Sequence, residues 1–161
     1  MYSPATGALY HGLTEHLHTW AHEKQYQIEY ETSEWYGDIH EENKFVSPAG
    51  VKTFMDKVCN IKPRVYQYKA VYEAIKNNRK LLLSPTGSGK SLMIYSIVRY
   101  YAATAKKILI VVPTTSLVEQ MVNDFISYGW NAAAHVHKIY SGKDKNTDKN
   151  IIISTWQSIY K

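Results

Sequence analysis

The sequence predicts an α/β fold in two parts: a small α/β module over residues 1–60 and an incomplete parallel-sheet domain over residues 61–161. From residue 64 onward, short apolar runs alternate with segments of helical periodicity, which is the pattern of parallel strands joined by helices. A glycine-rich stretch at 84–91 connects one apolar run to the helix that follows it. The stretch at 60–63 marks the change of pattern and is the predicted domain boundary.

The first part is predicted to contain two helices and one strand. Apolar residues recur at helical spacing over residues 12–24, and they alternate with polar residues over 26–30, as in a half-buried strand. Ser47 and Pro48 indicate a helix start, because serine caps free N–H groups and proline suits the first helical turn. The second helix should therefore begin at Pro48 and bury an apolar stripe that ends at Val58.

The second part is predicted to alternate strands and helices and to stop before its sheet is complete. The predicted elements are helices over 66–76, 90–103 and 116–126, and strands over 80–83, 107–112, 135–139 and 150–154. A charged loop at 141–149 separates the last two strands, and a further helix begins where the sequence ends. We therefore expect the sheet to have further strands outside these 161 residues.

Composition is typical of a globular protein outside membranes. The chain has 161 residues, of which 45% are hydrophobic and 20% charged. Its one cysteine, Cys59, cannot form an internal disulfide, which favours a reducing compartment. The longest apolar run, residues 108–112, is too short to span a bilayer, and the N-terminus lacks the charged and apolar regions of a signal peptide. We expect a cytoplasmic protein without a membrane partner.

The net charge of +5 hides a strong asymmetry. Residues 1–60 carry four Lys and nine acidic residues, a net charge of −5, whereas residues 61–161 carry fifteen Lys and Arg and five acidic residues, a net charge of +10. The basic part also contains the glycine-rich stretch. A polyanionic partner such as nucleic acid is therefore expected there, with a generally basic solvated surface as the alternative.

The glycine-rich stretch has the features of a phosphate-binding loop. It reads Ser84, Pro85, Thr86, Gly87, Ser88, Gly89, Lys90 and Ser91. The two glycines would let backbone N–H groups approach phosphate oxygens, and the following helix would add the positive end of its dipole. Lys90 suits the β- and γ-phosphates, and the Ser91 hydroxyl suits Mg²⁺. We expect a nucleoside triphosphate site rather than an ordinary strand-to-helix turn, although the general pattern has Gly at position 84.

Four further segments stand in order around this loop. They are Pro63-Arg64-Val65-Tyr66-Gln67, Pro113-Thr114-Thr115-Ser116-Leu117-Val118-Glu119-Gln120, Ser141-Gly142 and Ile153-Ser154-Thr155-Trp156-Gln157. The series resembles the first motor domain of superfamily 2 helicases and translocases, most closely the UvsW-type DNA helicases of T4-like phages. The resemblance is weak over residues 1–60 and strong over 61–161. It implies a RecA-like P-loop motor domain, preceded by the end of an accessory domain.

The resemblance implies a role for each matched residue. Gln67 would read the edge of adenine, with Arg64 beside it at the nucleotide, since an amide offers both a donor and an acceptor. Residues 85–91 would bind ATP, with Lys90 as the catalytic lysine at the phosphates and Ser91 as the Mg²⁺ ligand. The DNA backbone would be held by Pro113, Thr114, Thr115, Gln120, Gly142 and Thr155. For the two threonines at the start of a helix, capping is the plain structural explanation, and one residue can both cap the helix and bind DNA.

The resemblance further implies an ATP-dependent helicase acting on branched or forked DNA in recombination, repair and fork rescue, in the cytoplasm of a phage-infected bacterium. In this family the acidic box that holds Mg²⁺, the second motor domain and its arginine finger follow the motifs found here. We therefore expect this chain to bind ATP weakly, and we expect no hydrolysis by these 161 residues alone.

Three other interpretations stay open. The motor of another superfamily 2 translocase, such as a restriction enzyme, would share every motif. The second is a non-catalytic module that binds ATP or DNA without turnover. The third and weakest is a small-molecule P-loop kinase, which explains neither Gln67 nor the Pro-Thr-Thr segment that ends the next strand.

Histidines at positions 11, 16, 18 and 22 crowd the first predicted helix. His18 and His22 stand one turn apart and could share a metal ion. The zincin pattern needs Glu where this sequence has Thr19, and no cysteine is near. We therefore interpret the cluster as a solvated helix face and expect no metal there.

Overall fold

The structure of the chain is a computed structural model that describes residues 13–29, 45–77, 80–142 and 144–160. Its elements in chain order are α1 (Thr14–Glu23), α2 (Pro48–Val58), α3 (Val65–Lys76), α4 (Lys90–Tyr101), β1 (Ile108–Val112), α5 (Thr115–Ser127), α6 (Ala132–His135), β2 (Val136–Ile139), β3 (Ile151–Thr155) and α7 (Trp156–Tyr160). The chain divides into two compact units, Met1–His40 and Glu41–Lys161. The first unit contains α1, and the second contains all the other elements.

The second unit is built on a parallel sheet of three strands in the order β1-β3-β2. β3 lies in the centre, where its Ile151 is opposite Ile108 of β1 and also opposite Val136 of β2. Parallel strands need a crossover, and α5 lies on the connection that follows β1. All three strands therefore end at the same edge of the sheet, and the segments that leave those ends lie side by side. The predicted α/β class with a parallel sheet is confirmed.

One apolar cluster holds the helices against this sheet. Ile153 of β3, Tyr95 of α4 and Phe125 of α5 are fully buried in it. The rings of Tyr95 and Phe125 lie 5.4 Å apart, so aromatic contact joins the two helices directly. In contrast, Leu109 and Val111 of β1 are exposed, and within the described part of the chain only the other side of this strand is packed.

A second cluster joins α2 to α3 and α4. Its buried members are Val51, Met55, Val71, Ile75 and Met93. α2 begins as predicted, because the Ser47 side chain accepts a hydrogen bond from the N–H of Gly50 at 3.0 Å and Pro48 occupies the first turn. α2 therefore belongs to the same compact unit as the sheet, and that unit begins at Glu41. The division into functional domains at residue 60 stays a prediction.

Two predicted strands are wrong. Residues 80–83 form no strand, and neither do residues 26–29, the described part of the predicted strand 26–30. Neither an apolar run nor an alternation of apolar and polar residues is sufficient to form a strand, because a strand needs a neighbouring strand to receive its backbone hydrogen bonds. No strand in the described part of the chain pairs with either segment, and Leu81 and Leu83 are 81% and 89% exposed. The other predicted elements begin and end within two residues of their observed bounds.

In the first unit, α1 is described together with the residues that follow it as far as residue 29. Ala21 is buried, and Trp20 stacks on Tyr26 with ring centroids 5.4 Å apart. Among the described residues, no group of three or more histidine, cysteine or acidic side chains could hold a metal ion, and His11 lies outside them. None of the described helices combines the length and apolar character needed to cross a bilayer.

We expect Gly129→Ala to destabilise the second unit strongly. Gly129 has a φ of +99°, which side chains rarely adopt, and an added Cβ would also clash with the side-chain amide of Asn60. The loss in free energy of unfolding should reach about 2 kcal/mol or more. Gly142→Ala is the matched control, because Gly142 also has a positive φ of +83° but has no atom within 4 Å of the added Cβ. Denaturant unfolding of both variants would measure the losses, and a loss at position 129 below about 0.5 kcal/mol would contradict the strained backbone at that position.

Candidate nucleotide-binding site

The glycine-rich loop adopts the conformation that its glycines permit. Gly87 and Gly89 have φ angles of +78° and +74°, in the left-handed region that favours glycine. Gly89 directly precedes α4, and the N–H groups of Leu92 and Met93 donate to its carbonyl oxygen. The loop therefore turns straight into the helix, so the first free N–H groups of α4 face the same place as the loop.

Ser84, which stands where the general P-loop pattern has Gly, closes the loop with a side-chain contact. Its hydroxyl forms a hydrogen bond with the hydroxyl of Ser88, four residues further on. The Ser88 hydroxyl also donates to the carbonyl oxygen of Pro85 at 2.8 Å. A glycine at position 84 could not make the cross-loop bond. Serine instead of glycine at position 84 therefore adds one hydrogen bond that stabilises the loop.

Lys90 directs its charge into the loop. Its Nζ donates to the carbonyl oxygens of Ser84 at 3.1 Å and Pro85 at 2.8 Å. The residue itself remains exposed. The ammonium therefore lies at the centre of the loop, which is where phosphate oxygens would approach the backbone N–H groups.

Gln67 and Tyr66, in the first turn of α3, fix the loop from behind. Gln67 is 4% exposed, and its Oε1 accepts from the N–H of Arg64 at 2.8 Å. Its Nε2 donates to the carbonyl oxygens of Ser88 at 3.1 Å and Gly89 at 3.4 Å, and the Tyr66 hydroxyl donates to Ser88 at 2.8 Å. In this conformation both ends of the Gln67 amide bind backbone. The adenine contact of Gln67 and the nucleotide contact of Arg64 stay predictions.

Ser91 lies in the first turn of α4 and contacts the far end of α5. Its hydroxyl is 2.8 Å from the hydroxyl of Tyr128, the residue that directly follows α5. The Tyr128 ring packs on Tyr95, with centroids 5.4 Å apart. Burial raises the pKa of Tyr95, opposed by Arg99, so this tyrosine stays a neutral donor to the carbonyl oxygen of Val58 at 2.7 Å.

A cavity of about 590 Å³ opens between the loop and α5. Its walls include Lys90 and Ser91 on the loop side, and Gln120 and Asp124 on the α5 side. Volumes between about 300 and 1,000 Å³ are usual for small-molecule sites. Gly87 lines the cavity, and an added Cβ there would meet nothing within 4 Å, so the space beside its backbone is open. The volume of the cavity, the open space beside the Gly87 backbone and the charge of Lys90 together suit a nucleoside triphosphate.

Sequence reasoning did not mark two residues at this site, and it expected a third at DNA, a contact that stays a prediction. Gln120, expected at DNA, lines the cavity, and so does Asp124, which no motif marked. Tyr128 was also unmarked. For Asp124 a signal was available in the spacing, because it lies four positions after Gln120 and so shares its face of α5, whereas Tyr128 follows α5 and only packing brings it to Ser91. Asp124 adds a carboxylate to the wall that holds Ser91, which is the type of group that Mg²⁺ prefers.

The residues expected at DNA gather at the edge where the three strands end. Pro113, Thr114 and Thr115 follow β1, Gly142 follows β2 after two residues, and Thr155 is the last residue of β3. The first four are exposed. Thr155 is 4% exposed and its hydroxyl bonds to that of Ser158 at 2.9 Å, so in this conformation its side chain faces inward. The DNA contacts of all these residues stay predictions.

Thr114 has the structural role that was the alternative explanation for it. Its hydroxyl accepts a hydrogen bond from the N–H of Leu117 at 3.4 Å and so caps α5. It also lies 2.9 Å from the hydroxyl of Ser116. Thr115 is the first helical residue and is exposed. Capping and a contact with DNA are compatible, so the DNA role of Thr114 stays a prediction, and the exposure of Thr115 leaves its hydroxyl on the outer surface of this edge.

A family model and two individual relatives match this chain. The model of the family described as Type III restriction enzyme, res subunit, matches residues 60–161. The chain is 41% identical over 106 residues to the ATP-dependent DNA helicase uvsW of Enterobacteria phage T4, covering 63% of this chain and 21% of that protein. It is 32% identical over 85 residues to the replication restart protein PriA of Borreliella burgdorferi, covering 53% of this chain and 13% of that protein.

Solved structures agree with the sequence comparisons. The crystal structure of the UvsW helicase from bacteriophage T4 matches with a TM-score of 0.79 and 31% identity, over 94% of this chain and 55% of that one. A crystal structure of T4 UvsW matches with a TM-score of 0.82 and 30% identity, over 98% of this chain and 33% of that one. The resemblance to UvsW-type superfamily 2 helicases is confirmed. The chain spans about a fifth of the length of the uvsW protein, 21%.

We expect Gln67→Glu to destabilise the chain because a carboxylate cannot donate to the Ser88 and Gly89 carbonyl oxygens. The loss at neutral pH should be about 3 kcal/mol, since a buried charge would face two acceptors. Burial raises the pKa of the new carboxyl above its value of about 4.3 in the unfolded chain. The protonated form can donate, so the defect should shrink as pH falls through that raised pKa towards 4.

Gln157→Glu is the matched control for this substitution, because Gln157 is exposed on α7. Its unfolding free energy should change by less than about 0.5 kcal/mol. Thermal unfolding of the two variants and the wild type at several pH values measures both effects. An equal, pH-independent loss at positions 67 and 157 would contradict the bond from Gln67 to the loop.

Proposed function

The chain belongs to the family of the Type III restriction enzyme res subunit, and on that basis we propose that it forms the nucleotide-binding part of an ATP-driven DNA motor. One observation carries the proposal: Lys90 and Ser91 open on the same cavity as a loop with two left-handed glycines. This is the arrangement that phosphate binding requires. ATP with Mg²⁺ is the proposed cofactor, and the name of the uvsW relative, an ATP-dependent helicase, supports it.

In this proposal, different groups of the loop contact different parts of the nucleotide. Backbone N–H groups of residues 85–91 donate to phosphate oxygens, and the start of α4 adds its positive end. Lys90 exchanges its bonds to the carbonyl oxygens of Ser84 and Pro85 for the more favourable bonds to phosphate. Ser91 ligates Mg²⁺, which when bound supplies charge neutralisation at the phosphates. Gln67 and Arg64 are the proposed adenine-side residues.

DNA is the proposed second partner, bound mostly through its phosphate backbone. The exposed segment 113–115 and Gly142 lie at the same edge of the sheet as the buried Thr155, and α5, which begins at this edge, carries the exposed Gln120. The net charge of +10 over residues 61–161 favours a polyanion. Hydroxyl and backbone N–H groups suit phosphates and read no sequence.

The proposed substrate is branched or forked DNA, processed during recombination, repair and fork rescue in a bacterial host cytoplasm. This part of the proposal is supported by the similarity to uvsW, of which the chain spans 21%. We also propose that residues 1–60 form a small accessory module. For the whole motor we also propose a second motor domain and an acidic Mg²⁺-binding box, as the resemblance to UvsW-type helicases implies.

A translocating motor of a restriction enzyme is the second candidate function. The family match favours it, because the matched family is described by a restriction enzyme subunit. Such a motor moves along continuous duplex, whereas a fork-processing helicase engages junctions. Preference for forked over linear DNA therefore separates the two candidates.

We expect Lys90→Ala to weaken binding of ATP with Mg²⁺ by about 100-fold, because two charge-assisted hydrogen bonds of about 1.5 kcal/mol each are lost. The free energy of unfolding should be unchanged, since the side chain is exposed. Lys69→Ala, also exposed and on α3, is the matched control and should bind as the wild type does. Calorimetric titration measures the affinities. Undiminished binding by the Lys90 variant would remove the loop assignment.

Thr115→Val should weaken binding of a forked duplex by about 3- to 10-fold, the effect of one lost hydrogen bond to phosphate. Thr115 is preferred to Thr114 because Thr114 also caps α5. Thr53→Val, on the exposed side of α2, is the control and should leave DNA binding unchanged. Fluorescence anisotropy with forked and linear duplexes of equal length measures both points. No change at Thr115 would reject this DNA edge, and equal wild-type affinity for the two duplexes would favour the second candidate.

A further inference from the structure

We propose that Tyr128 is a positioning residue for Ser91: its phenolic oxygen accepts the proton of the Ser91 hydroxyl while the Ser91 oxygen ligates Mg²⁺. The inference rests on the proposed function, because it concerns the Mg²⁺ ligand of that site. It adds a residue outside the loop and outside every motif segment. Tyr128 follows α5, thirty-seven positions along the chain from Ser91.

The contact has the geometry of a good hydrogen bond between two hydroxyls. The Oγ of Ser91 and the Oη of Tyr128 are 2.8 Å apart. A serine hydroxyl that gives a lone pair to a cation still carries its proton, and that proton needs an acceptor. A phenolic oxygen can accept, and in this direction the bond turns a Ser91 lone pair away from Tyr128. Partners of this kind orient metal ligands and raise their donor strength.

Tyr128 is held in place by contacts that do not involve Ser91. Its backbone N–H donates to the carbonyl oxygen of Asp124 at 3.0 Å, and its own carbonyl accepts from the N–H of Asn60 at 3.1 Å. Its ring lies against Tyr95, which is anchored by its bond to Val58. The position of the Tyr128 hydroxyl is therefore fixed in advance. A pre-positioned acceptor saves the cost of ordering the ligand when the metal binds.

The same face of α5 places a carboxylate beside this pair. Asp124 precedes Tyr128 by one helical turn and lines the cavity together with Ser91. The cavity wall thus presents a hydroxyl whose proton is accepted by Tyr128 and an oxygen ligand of the type Mg²⁺ favours. A purely structural pairing of Ser91 and Tyr128 would hold α4 against α5. It would make nucleotide affinity equally sensitive with and without the metal.

The test measures ATP affinity of the 161-residue chain by titration with a fluorescent ATP analogue, in EDTA and in Mg²⁺. In Tyr128→Phe the increase in affinity that Mg²⁺ gives the wild type should fall by about 10-fold, the usual effect of removing the partner of a metal ligand. Affinity in EDTA should be unchanged. Tyr160→Phe is the matched control: Tyr160 is 87% exposed on α7, and removal of its hydroxyl should keep the full Mg²⁺ effect.

Ser91→Ala and the double variant with Tyr128→Phe complete the cycle. If Tyr128 acts through Ser91, the double variant should lose no more of the Mg²⁺ effect than Ser91→Ala alone. The proposal is overturned by a full Mg²⁺ effect in Tyr128→Phe, by equal losses in EDTA and Mg²⁺, or by additive losses in the double variant. Thermal unfolding of every variant identifies a folding defect, which would appear as an equal loss in both buffers.

Failure of the proposed function would look different. A wild-type chain that binds no ATP, or a Ser91→Ala variant with the full Mg²⁺ effect, would overturn the site assignment and this inference together. ATP binding that depends on Lys90 and Ser91 but is indifferent to Tyr128 would overturn the inference alone.

Discussion

The side-chain amide of Gln67 ties α3 to the glycine-rich loop, and the rest of the candidate site depends on that tie. No strand in the described part of the chain pairs with residues 80–83, so the segment that leads into the loop lacks a ladder of backbone bonds. The buried amide bonds instead to the N–H of Arg64 and to the carbonyl oxygens of Ser88 and Gly89. Breaking these bonds would leave polar groups buried without water, which gives the loop a defined position. Because Gly89 directly precedes α4, that position also sets where Lys90 begins the helix.

The parallel sheet brings the two proposed partners to one edge. Its three strands all end there, and the segments after them carry the residues expected at DNA. α5 begins at this edge with Thr115 and then runs along the cavity, presenting Gln120 and Asp124 to it. One rigid helix therefore borders both surfaces. An ATP-driven DNA motor needs such a shared element, because a conformational change at the nucleotide site must be transmitted to the DNA-binding surface.

Local chemistry in the sequence predicted the helix starts and the loop, because those features depend on a few neighbouring residues. Ser47 with Pro48 and the Gly-Lys-Ser turn into α4 are of this kind. The prediction of a strand at 80–83 was wrong because the apolar residues of that segment do not indicate whether a neighbouring strand is present. The Ser91–Tyr128 contact was missed for the same reason: it joins residues far apart in sequence, and only the packing of α4 on α5 brings them together.

The most direct test of the central claim is an NMR titration of the ¹⁵N-labelled chain with ATP and Mg²⁺. The account predicts that the backbone amides of residues 86–91 shift first, together with those of Gln120 and Asp124 across the cavity. Amides of residues 105–107, which precede β1 at the opposite edge of the sheet, should stay in place. Shifts confined to residues 105–107, or no shift at saturating ATP, would contradict a nucleotide site at the loop.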